Sequence, residues 1–528
     1  MWFVNGKVFT GDSAAPRTAF RVDGARIVWV GDLDDAPATE PNEAVVDLGG
    51  ATVIPGLLDV HTHPAMMSTL VNAVSCLPPA VRSLDALVAA LRSSPAAEQG
   101  PDVWIEGFGY DEADYPEGRQ PTRHDLDRIS TTQPVFVRRC DGHTGVANTR
   151  ALELAGITAA TPDPPGAEFG REPDGAPDGR LAEMGALVPI LSIIPARSHA
   201  QRVDDVARLA GHFAARGIVG LGDLLATMID DPLAVFREAA ARGPFPQVGL
   251  YLGWDDIAHD PPKLTDDDRS GRVRIAGVKL FADGAYSNRT AWTHDPYPGS
   301  DGHGLRTVSD EALTHAVAWA RANGVQAAIH AMGDAALDHI IDLFADEEPW
   351  LGAYPSIRLE HATLATPERI ARLAGARMRF AVVSHTIFFF AEYPAYEHNL
   401  SPAQFEIAYP IRDYQAHLPV TALASDMPAT AWADADDVFV SIKAAVTRRS
   451  ATGADIGQAQ AITVAQALEL YTSRAAQVMA LPGLGRIAAG AEASFVVLDR
   501  DPFAVHPDEL DRVRPTQTWL AGVQVYSA

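Results

Sequence analysis

Residues 53–64 read VIPGLLDVHTHP. An apolar run from Val53 to Leu58, interrupted by Pro55-Gly56, leads through Asp59-Val60 into His61 and His63. Side chains at i and i+2 of a strand share a face. A strand over 57–63 therefore brings both imidazoles to one point at its C-terminal end. Histidine is the commonest metal ligand, and two neutral imidazoles suit a divalent cation. The same pattern also fits two partly buried histidines bonded to backbone, so the reading needs partners elsewhere in the chain.

Downstream, apolar runs alternate with helical patterns. Candidate strands are 57–63, 218–223, 247–253, 275–282, 325–330, 357–361, 380–384 and 420–426, with helical stretches such as 310–323 and 367–373 between them. This alternation predicts an α/β chain built on a parallel (β/α)8 barrel of the TIM type, with chemistry at the C-terminal ends of its strands. Those ends carry His61 and His63 on the first, Lys279 on the fourth, His330 on the fifth, His361 on the sixth and Asp426 on the eighth. Each alone has a structural explanation; Asp426, for instance, could cap a helix. Their coincidence with separately predicted strand ends points to a metal centre. For Lys279 two readings stand: an amine that adds CO2 and bridges two cations as a carbamate, or an ammonium paired with Asp283 or substrate beside a single metal.

Both chain ends are β-rich. Trp2-Phe3-Val4, Asn5-Gly6 and Lys7-Val8-Phe9-Thr10 predict a hairpin, and strand patterns recur at 26–31, 44–48, 493–499 and 516–526. Residues 1–55 and 483–528 are expected to form a composite β-sandwich domain, and 56–65 with 191–482 the barrel. An insertion after the first barrel strand, 66–190, reads as a subdomain with a long loop, TPDPPGAEFGREPDGAPDGR at 161–180.

The 528 residues are 47% apolar and 21% charged, enough to bury a large core in a globular protein. A formal net charge of -26 disfavours nucleic acid and anionic membranes as partners. Two cysteines, Cys76 and Cys140, make no disulfide framework, and MWFVNGKVFTGD lacks the pattern of a signal peptide, so a cytoplasmic location is expected. No apolar run reaches the ~18 residues of a membrane span.

The sequence resembles the amidohydrolase superfamily, metal-dependent hydrolases on a (β/α)8 barrel, and within it amidohydrolase family 3. The resemblance rests on VNGKVFTGD (4–12), VIPGLLDVHTHP, GHTGVAN (142–148), VKLFADGAYSNRT (278–290), IHAMGDAA (329–336), LEHAT (359–363), ASDMP (424–428), LYTSRAA (470–476) and GLGRIAAGAEASFVVLDRDP (483–502). It implies that His61, His63 and Asp426 hold one metal and His330 and His361 a second, with carboxylated Lys279 bridging them. Zinc is the expected metal for such donors. Two cations sharing a water make hydroxide available at neutral pH, and Asp426 is then the proton acceptor that serves the leaving nitrogen. A homodimer acting on a small molecule is implied as well.

Specificity is expected from loops. The insertion offers Trp104, Phe108, Tyr110, His143 and Asn148, of which His143 either reaches substrate or steadies its loop. SHTIFFFAEYPAYEH (384–398) offers His385, Phe388, Phe389, Phe390, Tyr393 and Tyr396, either as an apolar specificity loop or as ordinary core around His385. The favoured activity is hydrolysis of an amide-type C–N bond in an N-acyl or N-formyl amine. The alternatives are a cyclic amide, carbamate, ester or deamination reaction on the same centre, and a metal-free binding or scaffold protein.

Overall fold

The quoted stretch serves two sheets. In the computed structural model, which describes every residue except 13–14, 38–42, 113–114, 141, 143 and 419, Thr52–Pro55 joins a sheet of the chain ends and Leu57–Thr62 opens the barrel. Gly56 lies at the crossing, where a Cβ would stand 2.4 Å from the Val219 side chain. The lack of a side chain is what lets the two sheets meet there.

The barrel strands are β1 (Leu57–Thr62), β2 (Ile218–Asp223), β3 (Gln247–Gly253), β4 (Val273–Phe281), β5 (Gln326–Ala331), β6 (Ile357–His361), β7 (Phe380–Ser384) and β8 (Thr421–Leu423). Each pairs in parallel with the next in sequence. The ring closes just past β8, where the Asp426 N–H donates to His61 O at 2.8 Å and the His63 N–H to Met427 O at 2.8 Å. Helices including Pro232–Ala240, Asp310–Asn323, Asp334–Phe344 and Pro367–Gly375 make the crossovers that parallel strands require. Burial on both faces explains the near-continuous apolar runs; every residue of β1 is buried. The fold is a (β/α)8 barrel. The expected 420–426 strand shortens to Thr421–Leu423 because the chain turns out of the ladder toward Asp426, whose φ is 57°.

The predicted N-terminal hairpin does not form. Trp2–Val4 pairs with Ala19–Asp23 and Val45–Asp47, whereas Lys7–Val8 pairs with Thr52–Pro55 in the other sheet. Asn5 adopts φ 58°, and the Asn-Gly turn carries the chain from one sheet to the other. Between the sheets Phe3 stacks on Phe20 at 4.7 Å and meets Phe495 and Trp519 edge-on at 4.9 and 5.1 Å. Burying aromatic surface from both ends is what joins them.

The barrel and both terminal sheets make up one compact unit, residues 1–66, 203–427 and 435–528; residues 67–202 and 428–434 make up a second. The second unit holds a six-stranded sheet of its own. Its expected long loop contains an antiparallel pair, Glu168–Arg171 with Pro177–Ala182. Pro173-Asp174-Gly175 supplies the turn between these strands, and the Gly175 N–H donates to Glu172 O at 2.9 Å. No helix among the described residues is long and apolar enough to cross a membrane.

Candidate metal centre

Strand ends bring the predicted groups together. His61 Nε2 lies 3.3 Å from Asp426 Oδ1 and 3.3 Å from Lys279 Nζ; His63 Nε2 lies 2.7 Å from Asp426 Oδ1. The His361 ring centre is 5.1 Å from that of His61 and 4.4 Å from that of His330. His61, His361 and Asp426 each offer one donor atom, all within 4.8 Å of one another. Lys279 faces His61 and the Phe281 ring, 5.0 Å away, and not Asp283. Asp283 instead accepts the backbone N–H groups of Trp292, Met332 and Gly333 and lies 3.4 Å from His330 Nε2.

Backbone strain helps. His361 and Asp426 have φ of 72° and 57°, uncommon for residues with a side chain. Along β6 strict alternation would turn residue 361 away from residue 360. The left-handed turn at His361 breaks that alternation, and both Glu360 and His361 approach His61.

Burial, then Lys279, pushes the His61 imidazole well below its usual range; burial, then His330, does so for His361. Burial and Lys279 bring His330 to about 4, and burial brings Lys279 down to about 8 against the pull of Glu360 and Asp426. For Asp426, burial raises the carboxyl, but the His63 hydrogen bond and the neighbouring His385 and Lys279 hold it below the usual value. His61, His330 and His361 are therefore uncharged imidazoles beside the ionised Asp426 carboxylate. The buried Nδ1 of His361 has no hydrogen-bond partner. Imidazole lone pairs converging on a carboxylate, one of them left unpartnered, fit a divalent metal.

Glu360, Arg358, Tyr251 and Gln326 were not legible as site residues. Glu360 Oε2 is 2.7 Å from His61 Nδ1. Arg358 donates to Glu360 Oε1 at 2.7 Å, to the Tyr251 hydroxyl at 2.7 Å and to Val60 O at 2.8 Å. Tyr251 in turn donates to Gln326 Oε1 at 2.5 Å. The available signal was charge at alternate positions of an otherwise apolar strand, Arg358 and Glu360, which places both on the barrel's inner face.

The stretch after β7 is helical, Thr386–Ala391 and Tyr393–Asn399, rather than an open loop. Helical rotation splits its aromatics. His385 and Phe388 lie beside His361, with ring centres at 4.4 and 5.6 Å. Phe389 and Tyr396 pack instead with Tyr409, Phe390 is buried, and Tyr393 donates to Glu397 at 2.6 Å on the surface. Burial brings the His385 imidazole down to about 3. In the second unit, Trp104 packs on that unit's own core with Phe136 and Leu187, and Phe108 and Tyr110 are buried. Asn148 caps the helix Thr149–Ala155 and accepts the Val135 N–H. His143 lies outside the described residues.

A (β/α)8 barrel with imidazoles, a lysine and a carboxylate gathered at its strand ends is an architecture suited to metal-assisted hydrolysis. A sequence model of the amidohydrolase family matches residues 44–526, and the chain belongs to that family. It is 29% identical over 548 residues to the N-substituted formamide deformylase of Arthrobacter pascens, covering 100% of this chain and 98% of that one. A metal-dependent hydrolase of Pyrococcus horikoshii OT3 superposes with a TM-score of 0.74 at 24% identity, over 96% of this chain and 99% of that one. The atrazine chlorohydrolase TrzN of Arthrobacter aurescens TC1, in complex with zinc, shares the fold at a TM-score of 0.53 and 15% identity, over 100% of this chain and 95% of that one.

Proposed function

We propose that the protein is a metal-dependent hydrolase of an amide-type C–N bond in a small N-formyl or other N-acyl amine. The carrying observation is the meeting of His61, His361 and Asp426, with donor atoms mutually within 4.8 Å at the C-terminal mouth of the barrel. Similarity along the whole chain to a formamide deformylase supports the choice of bond. In this reading His61, His63, Lys279, His330, His361 and Asp426 would hold two divalent ions, zinc by donor type, with Lys279 carboxylated. Bound there, the ions lower the pKa of water and polarise the substrate carbonyl.

The chain's own groups do the rest. Asp426, ionised and beside His63, accepts the proton of the attacking water and passes it to the leaving nitrogen. The water oxygen adds to the carbonyl carbon, the C–N bond breaks, and acid and amine depart. Glu360 holds His61 in one orientation, as outer-shell carboxylates do for ligating histidines. Burial lowers Lys279 to about 8, which raises the share of uncharged amine, the state that takes up CO2.

Metal analysis with a panel of N-formyl amines, N-acyl amines, cyclic amides, carbamates and esters tests the reading. About two metal equivalents with turnover of the N-acyl amines is the expected result. Turnover confined to the other substrates overturns the choice of bond. A metal-free protein without turnover overturns the hydrolytic reading altogether.

A further inference from the structure

His385 is buried completely, yet neither of its ring nitrogens has a hydrogen-bond partner. It follows β7 at the active end of the barrel, where the chain turns into the helix Thr386–Ala391. Its ring lies 4.4 Å from His361 and 5.2 Å from Phe388, with interplanar angles of 28° and 22°, and meets His61 edge-on at 4.9 Å. An uncharged imidazole carries one N–H and one lone pair, and a buried polar atom left unpaired is costly. A side chain held this way stores hydrogen-bonding capacity for something that arrives. His385 packs against His61 and His361, yet neither of its ring nitrogens is hydrogen-bonded to them.

We propose that His385 is a catalytic residue that touches substrate: its ring N–H donates to the carbonyl oxygen of the bound acyl group, and Phe388 bounds the space on the acyl side. The inference rests on the amide-hydrolase reading above and assigns a role that reading does not need. As the water oxygen adds to the carbonyl carbon, the carbonyl oxygen gains negative charge, and a donor aimed at it is worth most at that moment. His385 keeps its proton throughout; the proton that reaches the departing amine is the water's, carried by Asp426. With Phe388 parallel to the imidazole and 5.6 Å from His361, there is a wall where a bulky acyl substituent would extend, so a formyl group is favoured over larger acyl groups.

The test compares wild type, His385→Ala, His385→Gln and Phe388→Ala, each assayed for bound metal. Substrates are formanilide and acetanilide, and formate, the acid product, is titrated calorimetrically. His385→Ala is expected to keep its metal, to lose about 10²–10³-fold in kcat on formanilide, and to bind formate about tenfold more weakly. His385→Gln, which retains a donor, should recover part of both losses. Phe388→Ala should narrow the preference for formanilide over acetanilide. Loss of metal from His385→Ala would make the residue a ligand and overturn the proposal. So would wild-type kcat and formate affinity in that variant. If wild type turns over neither anilide and binds no formate, the amide reading itself falls; turnover that His385→Ala leaves untouched removes only this role.

Discussion

His61 Nδ1 and Glu360 Oε2 lie 2.7 Å apart inside the barrel, and neither side chain is open to solvent. Both Glu360 oxygens already accept from Arg358, at 2.7 and 3.2 Å, which leaves His61 as the donor in its contact with Glu360. The proton sits on Nδ1, and the Nε2 lone pair points toward Lys279 and Asp426. A buried ion pair below the site thereby sets the tautomer of the first histidine in the site.

Replacement Glu360→Gln keeps the shape but strands the Arg358 charge in the barrel interior. Loss of one partner of a buried pair costs about 3–5 kcal/mol. Losing the outer-shell carboxylate of a ligating histidine weakens metal binding about 10–100-fold. Urea unfolding and chelator competition read the two effects separately; wild-type values in both would show that the pair has no such role.

Conversion Asp426→Asn removes the proton acceptor with little change of volume. In metal-replete protein, kcat on an N-acyl amine should fall by at least about 10²-fold. His61→Ala should lower metal content as well as turnover. Retention of more than a few per cent of wild-type rate by either variant speaks against the assignment.

Dialysis against a chelator should abolish turnover, and added zinc should restore it. Because a ligand of the native state alone stabilises it by mass action, the melting temperature should rise with metal concentration. A melting temperature indifferent to both chelator and zinc would refute binding at this centre.

Away from the centre, Asp437 caps the helix Val438–Thr447 and sits 3.1 Å from Arg514 and 3.4 Å from Arg216. Burial nevertheless pushes its carboxyl up from 3.8 to about 6, against the pull of both arginines. The native state thus holds this proton more tightly than the unfolded chain. The associated stability is complete below about pH 4 and is lost as pH rises through about 6, a change of roughly 3 kcal/mol. Asp437→Asn keeps a capping oxygen and should flatten that dependence. Melting curves at pH 4 and pH 7 check it; parallel slopes for variant and wild type would overturn it.

Truncation Phe495→Ala should cost about 3–5 kcal/mol, because the ring lies in the core shared by both chain ends, 4.9 Å from both Phe3 and Phe20. A loss below about 1 kcal/mol would mean that the two sheets repack without it.

Barrel order and the positions of the strand-end groups were legible because a parallel strand buried on both faces must be an apolar run, and polar residues at its end then stand out. His61, Lys279, His330, His361 and Asp426 all emerged this way. Glu360 was hidden because it lies within a strand and beside a stronger signal, His361. The N-terminal hairpin was misread because Asn-Gly allows a tight turn without choosing the partners of the flanking strands; Trp2–Val4 and Lys7–Val8 found theirs in different sheets. The aromatics of 384–398 looked equivalent until helical rotation separated Phe388 from Phe389.

By itself, the sequence determined which residue types stand at the ends of which strands, since local periodicity and burial are written in the order of side chains. Only the tertiary structure decided which of them meet. His61 and Glu360 are 299 positions apart, and His63 and Asp426 are 363 apart. Their contacts depend on ring closure, on left-handed turns at His361 and Asp426, and on a charged network packed into the barrel, none of which has a local signature.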